Sequence, residues 1–231
     1  MRGITFYRGP SVLNGEEIVA IATTQSNNRK TGDMIQTWIL RTDRSPVTAI
    51  LDGSDASICG DCIHRGKGTK AEPRTCYVNV GQAPLAVFRA WKRGSYRSGS
   101  FREVAALGRP IRLGAYGDPV AVPWQAWDGL HLAPLWTGYT HQWRRLEAAP
   151  FKNILMASCD SPREALDAAV EGWRTFLVRA VDTPVRNGMI QCPSERGAQC
   201  GTCGLCNGNE SWKAPSITIE AHGTAKAFVG V

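Results

Sequence analysis

The sequence predicts an α/β protein. The expected architecture is a partial or irregular (β/α) barrel of about five or six βα units with an N-terminal β-rich cap, and an open parallel α/β sheet is the alternative. Three observations predict it. From residue 76 onward, short β-branched or aromatic runs alternate with amphipathic helical runs, the rhythm of a parallel sheet with right-handed crossovers. Residues 1–50 lack that rhythm and show β-rich runs separated by turn residues. A chain of 231 residues, 43% hydrophobic and 20% charged, is long enough to bury a core and unlike disordered, collagenous or coiled-coil chains in composition. It reads as a single domain over 1–231, with the cap at 1–55 and the βα core, including a C-terminal cysteine segment, at 56–231. The unit count falls short of the eight of a closed barrel.

Taken in order, runs 17–24, 35–41 and 47–51 read as strands. Ser26-Asn27-Asn28 and Thr31-Gly32-Asp33 supply turns between the first two. Residues 77–80 read as a short strand, and 84–91 as a helix whose apolar face is Leu85, Val87, Phe88 and Trp91. A second short helix is expected at 101–107. Strands at 111–115, 135–139 and 154–157 alternate with helical runs at 123–132 and 142–146. Ser161 caps the clearest helix, with Pro162 at its first position and Glu164 closing a capping box. Strands at 176–178 and 189–191 finish the series. No run of about 18 apolar residues exists, and the N-terminus lacks the apolar core of a signal peptide. The reading is a cytoplasmic protein with no membrane partner.

The chemistry concentrates in eight cysteines. In a reducing cytosol, clustered thiols point to metal or catalysis rather than to disulfides. Cys192 is followed by proline, and Cys200-Gly-Thr-Cys203-Gly-Leu-Cys206 follows. A C-x2-C-x2-C triplet wraps one face of an iron–sulfur cube, and a remote Cys-Pro completes the ligand set. Zinc is the competing occupant. Gly197, Gly201, Gly204 and Gly208 leave this segment few side chains, so it should fold around its metal. Cys59, Cys62 and Cys76 form a second group, as a separate metal site or part of a shared one. His64 is a fourth ligand by type, and Cys159 is another if the fold delivers it. Structural zinc and a three-cysteine cluster with one open, substrate-binding iron are the two readings of that group. Cys159 itself also reads as a small buried residue at a strand end. The cofactor expected is one [4Fe–4S] cluster or two, with zinc as the alternative.

In parallel α/β folds, sites gather at the carboxyl ends of strands. Those ends lead into Asp118, His141, Asp160 and Cys192, which nominates Asp118, His141 and Asp160 as catalytic candidates beside the cluster of Cys192, Cys200, Cys203 and Cys206. Arg112 lies within its strand. Asp118 and Asp160 also fit ordinary turn and helix-entry positions, and His222 is a weaker candidate. Aromatic and basic residues interleave from Phe88 to Arg97, a pattern that can stack bases and contact phosphates. The net charge of +7 points the same way, but a [4Fe–4S] cluster on four thiolates carries about −2 and offsets part of it.

The runs Cys76-Tyr-Val-Asn-Val-Gly-Gln-Ala-Pro-Leu, Arg112-Leu-Gly-Ala-Tyr-Gly-Asp-Pro119 and Thr137-Gly-Tyr-Thr-His-Gln-Trp143 carry a resemblance. So do Met156-Ala-Ser-Cys-Asp-Ser161, Gly172-Trp-Arg-Thr-Phe176 and the cysteine segment 192–206. Together, over about residues 55–225, the chain resembles an uncharacterised family encoded by tailed phages and other mobile elements. That family is similar to iron–sulfur proteins with a radical-SAM-like partial TIM-type barrel. The C-x3-C-x2-C pattern of radical SAM enzymes is missing, so the resemblance implies a viral origin and a cluster but no S-adenosylmethionine chemistry. The leading expectation is a phage-encoded [4Fe–4S] protein of the host cytoplasm, doing redox or cluster-dependent chemistry on an unknown substrate. A zinc-stabilised nucleic-acid-binding protein is the alternative, and a radical-type enzyme with an unusual cluster is the third reading.

Overall fold

A computed structural model describes residues 3–211 and 214–221. Its strands are β1 (Gly3–Pro10), β2 (Glu17–Thr23), β3 (Ile35–Arg41), β4 (Arg97–Ser98), β5 (Ile111–Tyr116), β6 (Trp136–Thr140), β7 (Met156–Cys159), β8 (Thr175–Arg179), β9 (Met189–Gln191) and β10 (Ser216–Glu220). They form one ten-stranded sheet in the order β4-β1-β2-β3-β5-β6-β7-β8-β10-β9. β1, β2 and β3 pair antiparallel, whereas every neighbour pair from β3 through β5, β6, β7, β8 and β10 to β9 is parallel. The sheet is not closed, so the architecture is the mixed α/β, partial or open one that the alternation predicts. The β-rich N-terminal segment is present and continuous with this sheet, because β3 pairs with β5. All seven residues of β3 are buried, as befits a strand covered on both faces.

The helices are α1 (Pro46–Asp52), α2 (Ala56–Cys59), α3 (Ala83–Lys92), α4 (Phe101–Ala105), α5 (Pro162–Val170) and α6 (Cys200–Cys203). Several differ from expectation. Residues 47–51 form α1 and not a strand: the Ser45 hydroxyl accepts from the Thr48 amide and Pro46 opens the helix. This local capping outweighs the β propensity of Val47 and Ile50. Residues 77–80 join no ladder. Run 123–132 becomes two short 3₁₀ turns, because Gly129 adopts a left-handed backbone between them. Residues 142–145 form a turn, and the 3₁₀ stretch Leu146–Asn153 contains Pro150, which cannot sit inside an α-helix without breaking its ladder. The β5–β6 and β6–β7 crossovers are therefore 3₁₀ turns, while β7–α5–β8 is a full βαβ unit. Strands β1, β4 and β10 were not foreseen.

The two faces of the sheet have different fates. Leu113, Leu155, Ala157, Cys159 and Leu177 pack with Val120, Phe151, Ala165 and Ala168 in the main core. The opposite face presents Trp38, Arg112, Tyr116, Tyr139, Ser158 and Phe176 to a cavity of about 910 Å³. Among the described residues, no helix is long and apolar enough to cross a membrane.

Candidate metal centres

The C-terminal cysteines are assembled by a chain that leaves the sheet early. β9 is a short edge strand whose last residue, Gln191, pairs with Thr218 midway along β10. The Cys192 amide then bonds the Thr218 carbonyl at 2.8 Å, and Pro193 turns the chain away in a 3₁₀ turn. It returns along α6, where the Cys200 amide donates to the Lys30 carbonyl (2.9 Å) and the Gly201 amide to that of Thr31 (3.2 Å). The Cys206 carbonyl accepts from the Gly138 amide of β6 at 2.9 Å. Gly204 has φ +65°, and a Cβ there would strike Leu135, so the close approach to β6 requires glycine. The buried Arg174 guanidinium fastens the far end. It donates to the carbonyls of Leu205 (2.8 Å), Gly208 and Pro215 (3.0 Å) and to the Asn207 side chain (3.3 Å).

Cys192, Cys200, Cys203 and Cys206 line one small pocket with Thr137 and Tyr139. Among the described residues, the one set of three or more His, Cys, Asp or Glu ligand atoms within 4.8 Å of one another is His64, His141 and Asp160. No three of the four sulfurs are that close. A tetrahedral zinc with bonds near 2.3 Å would hold its sulfurs about 3.8 Å apart. The quartet is not drawn together around a single ion, and four thiols lining one pocket are a donor set that suits either zinc or an iron–sulfur cluster. Burial pushes the Cys206 thiol up to about 12, against a hydrogen bond from the Tyr139 hydroxyl. Burial raises Cys200 as well, against the Arg112 guanidinium. Arg112 is itself buried, stacks 4.3 Å from the Tyr139 ring centre and, among the described residues, forms no ion pair with a carboxylate.

The second group sits at the other end of the cavity. α2 ends at Cys59, whose carbonyl accepts from the Gln142 side chain (3.1 Å), and the Asp118 amide holds the Ile58 carbonyl (2.6 Å). These bonds tie the Cys59–Cys62 knuckle to the carboxyl ends of β5 and β6. The Cys76 amide donates to the His64 carbonyl at 3.1 Å, which returns Cys76 to the knuckle. Asp118, buried on the cavity lining, has its carboxylate engaged by neighbouring groups. Its carboxylate accepts from the Val120 amide (3.0 Å), the Thr140 hydroxyl (3.0 Å) and the His141 amide (2.9 Å). Burial raises its pKa, against those same donors.

Asp160 is set by the cap of α5. The Ser161 hydroxyl accepts from the Glu164 amide, and Glu164 reaches back to the Asp160 amide at 2.8 Å. The Asp160 carboxylate then meets His64 Nε2 at 2.7 Å and His141 Nε2 at 3.5 Å. The other His64 nitrogen bonds the Thr75 hydroxyl at 2.7 Å. Burial works against charge on both Asp160 and His141. Their mutual attraction, with His64 beside Asp160 and Cys62 beside His141, outweighs it. The carboxyl is held far below its usual range and the His141 imidazole well above its own.

The sequence placed Asp118, His141, Asp160 and the Cys192 group on one face at the strand carboxyl ends. The first three do meet there, together with Cys59, Cys62, Cys76 and His64. The Cys192 group does not. Its loop contacts Leu135, Ile154 and Arg174, at the amino ends of β6, β7 and β8, because β9 stops halfway along β10 and the chain doubles back. Cys59, Cys62 and Cys76 nevertheless line the same cavity as Cys192 and Cys200. Cys159 joins neither group: it is buried on the opposite face, its thiol directed to the Ala157 carbonyl. His222 lies outside the described residues. In the 88–97 stretch, Phe88 is buried, while Trp91 is half-buried and packs against the core beneath Lys92 and Arg8. The His64–Asp160 pair, Arg74 and Arg174 were not singled out beforehand. His64 and Asp160 each carried a signal, as a ligand type beside Cys62 and as a strand-end carboxylate, but their pairing did not.

The chain matches no family model, no curated protein and no solved structure.

Proposed function

We propose that the chain is a phage-encoded iron–sulfur protein of the bacterial cytoplasm, in which Cys192, Cys200, Cys203 and Cys206 hold a [4Fe–4S] cluster serving redox or cluster-dependent chemistry on a small molecule in the adjoining cavity. The observation that carries this reading is the gathering of all four thiols, from two separate stretches of chain, on the lining of one pocket. When bound, such a cluster supplies one-electron chemistry at a potential set by its surroundings. The chain's own residues supply those surroundings. Arg112 adds positive charge beside Cys200 and Cys206, and the Tyr139 hydroxyl donates to the Cys206 sulfur; both favour the thiolate form and added negative charge. Met156, Phe176, Ile217 and Ile219 form an apolar cluster with Cys192 and Cys206, which limits water at the sulfurs. Arg112, Tyr139, Cys192 and Cys200 face the cavity, where a substrate would meet the electron source.

The test is protein purified without oxygen, assayed for iron, acid-labile sulfide and zinc, with electron paramagnetic resonance before and after reduction. Brown protein with equal iron and sulfide is expected. Colourless protein with stoichiometric zinc would overturn the reading.

A further inference from the structure

We infer that Cys59, Cys62 and Cys76 hold a second iron–sulfur cluster at the carboxyl ends of β5, β6 and β7, with the His141 imidazole as its fourth ligand and Asp160 fixing that imidazole. The inference stands on a different set of residues from the cysteine quartet and does not require the first cluster.

Four observations carry it. The three thiols and His141 all line the same wall of the large cavity, and the Cys62 thiol lies against the His141 ring. The thiols of Cys62 and Cys76 are both close enough to Cys59 to interact with it electrostatically.

The third observation is Arg74. Both terminal nitrogens of its guanidinium are buried without a hydrogen-bond partner. Its nearest carboxylate, Asp55, is 3.8 Å away and already takes two bonds from Arg65. Arg74 faces Cys59 and Cys76. Its ion pair with Asp55 Oδ2 leaves both terminal nitrogens without a hydrogen-bond acceptor, which is costly in a buried group, and metal-bound thiolates beside it would supply acceptors.

The fourth is the support behind His141. A ligating histidine commonly turns its second ring nitrogen to a carboxylate, which fixes the ring and strengthens the ligand. Nε2 of His141 lies 3.5 Å from Asp160 Oδ2, an ion-pair contact rather than a hydrogen bond, and Nδ1 would be the ligand atom. Asp160 is anchored in turn by His64 at 2.7 Å and by Glu164 through its amide, and His64 by Thr75. A single ion held by His64, His141 and Asp160 is the competing arrangement. It would have to break the 2.7 Å His64–Asp160 bond, whereas a cluster on the thiol side leaves that chain of hydrogen bonds whole.

The experiment compares iron and sulfide in oxygen-protected full-length wild type, Cys62→Ser/Cys76→Ser and Cys203→Ser/Cys206→Ser, with circular dichroism to confirm folding. Each double variant should retain about half the wild-type iron and sulfide, the fraction expected if two cubes of equal iron content are present. Undiminished iron in a folded Cys62→Ser/Cys76→Ser variant would overturn the second cluster, as would its replacement in wild type by one zinc or one lone iron. If only the Cys203→Ser/Cys206→Ser variant keeps its iron, the second cluster stands and the function proposed for the quartet fails. Pulsed electron paramagnetic resonance of reduced wild type gives a readout that needs no folded cysteine variant. Strong nitrogen coupling should be present and should vanish in His141→Asn while persisting in His64→Asn. Coupling absent from iron-loaded wild type, or unchanged in His141→Asn, would remove the imidazole from the ligand set.

Discussion

The two cysteine groups face one cavity but are built in opposite ways. The quartet is borne by a glycine-rich loop at the amino ends of β6, β7 and β8, held by backbone bonds to neighbouring strands and turns and by a single buried side chain, Arg174. The trio sits where the strands end, on side chains that other side chains already hold: Gln142 under Cys59, Asp118 under His141, Glu164 and His64 around Asp160. A loop of this first kind gets its order from what it binds, whereas the second has a scaffold of its own. The quartet also offers four thiolates, a closed ligand set. The trio offers three thiols and an imidazole on the cavity wall. With clusters bound as proposed, the first arrangement would suit electron storage and the second contact with a substrate.

Substitutions away from the ligands can break or sharpen this contrast. The largest effect is expected for Arg174→Leu. It strips donors from three carbonyls and the Asn207 side chain, and unmet buried acceptors should cost about 3 kcal/mol or more. Thermal unfolding should shift downward, and the iron lost should be that of the quartet, with any nitrogen-coupled signal intact. Loss of both iron pools in equal measure would show that the two groups are not independently supported. Asp118→Ala is the mirror test. It leaves the Val120 and His141 amides and the Thr140 hydroxyl without their acceptor, a cost of about 2 kcal/mol. It should disturb the environment of Cys59, Cys62 and Cys76 and spare the quartet. An Asp118→Ala chain as stable as wild type in urea would mean that the carboxylate does not brace this end. The smallest effect belongs to Ser161→Ala, which removes a helix cap worth about 1 kcal/mol. It should loosen α5 and the Asp160 amide, read as faster hydrogen exchange at residues 160–165. Unchanged exchange there would detach the cap from the site.

Much of this organisation is legible in the residues, though unevenly. The α5 cap is readable because Ser161, Pro162 and Glu164 act within one turn, and β3 because seven consecutive residues suit a buried strand. Both are local statements. The α1 error shows local signals in conflict: Val47 and Ile50 favour strand, but Ser45 and Pro46 start a helix. The second group was legible as thiols at suggestive spacing, and the meeting of Asp118, His141 and Asp160 followed from the rule that strand carboxyl ends converge, but the arrival of the thiols beside them did not. That rule failed for Cys192. It assumes that each strand runs to the sheet's edge, and the length of β9 is set by its pairing with β10, which the sequence pattern did not reveal. Arg74 and Arg174 were invisible for a related reason: a buried arginine looks like a surface one until its neighbours are known.

The central claim is that the thiols of Cys192, Cys200, Cys203 and Cys206 enclose an iron–sulfur cube. The most direct measurement is the ratio of iron to acid-labile sulfide in anaerobic wild type beside Cys203→Ser. The account predicts equal iron and sulfide in wild type and a matched fall of both in the variant. Iron without sulfide, zinc in place of iron, or a Cys203→Ser chain that keeps its full complement of both would contradict it.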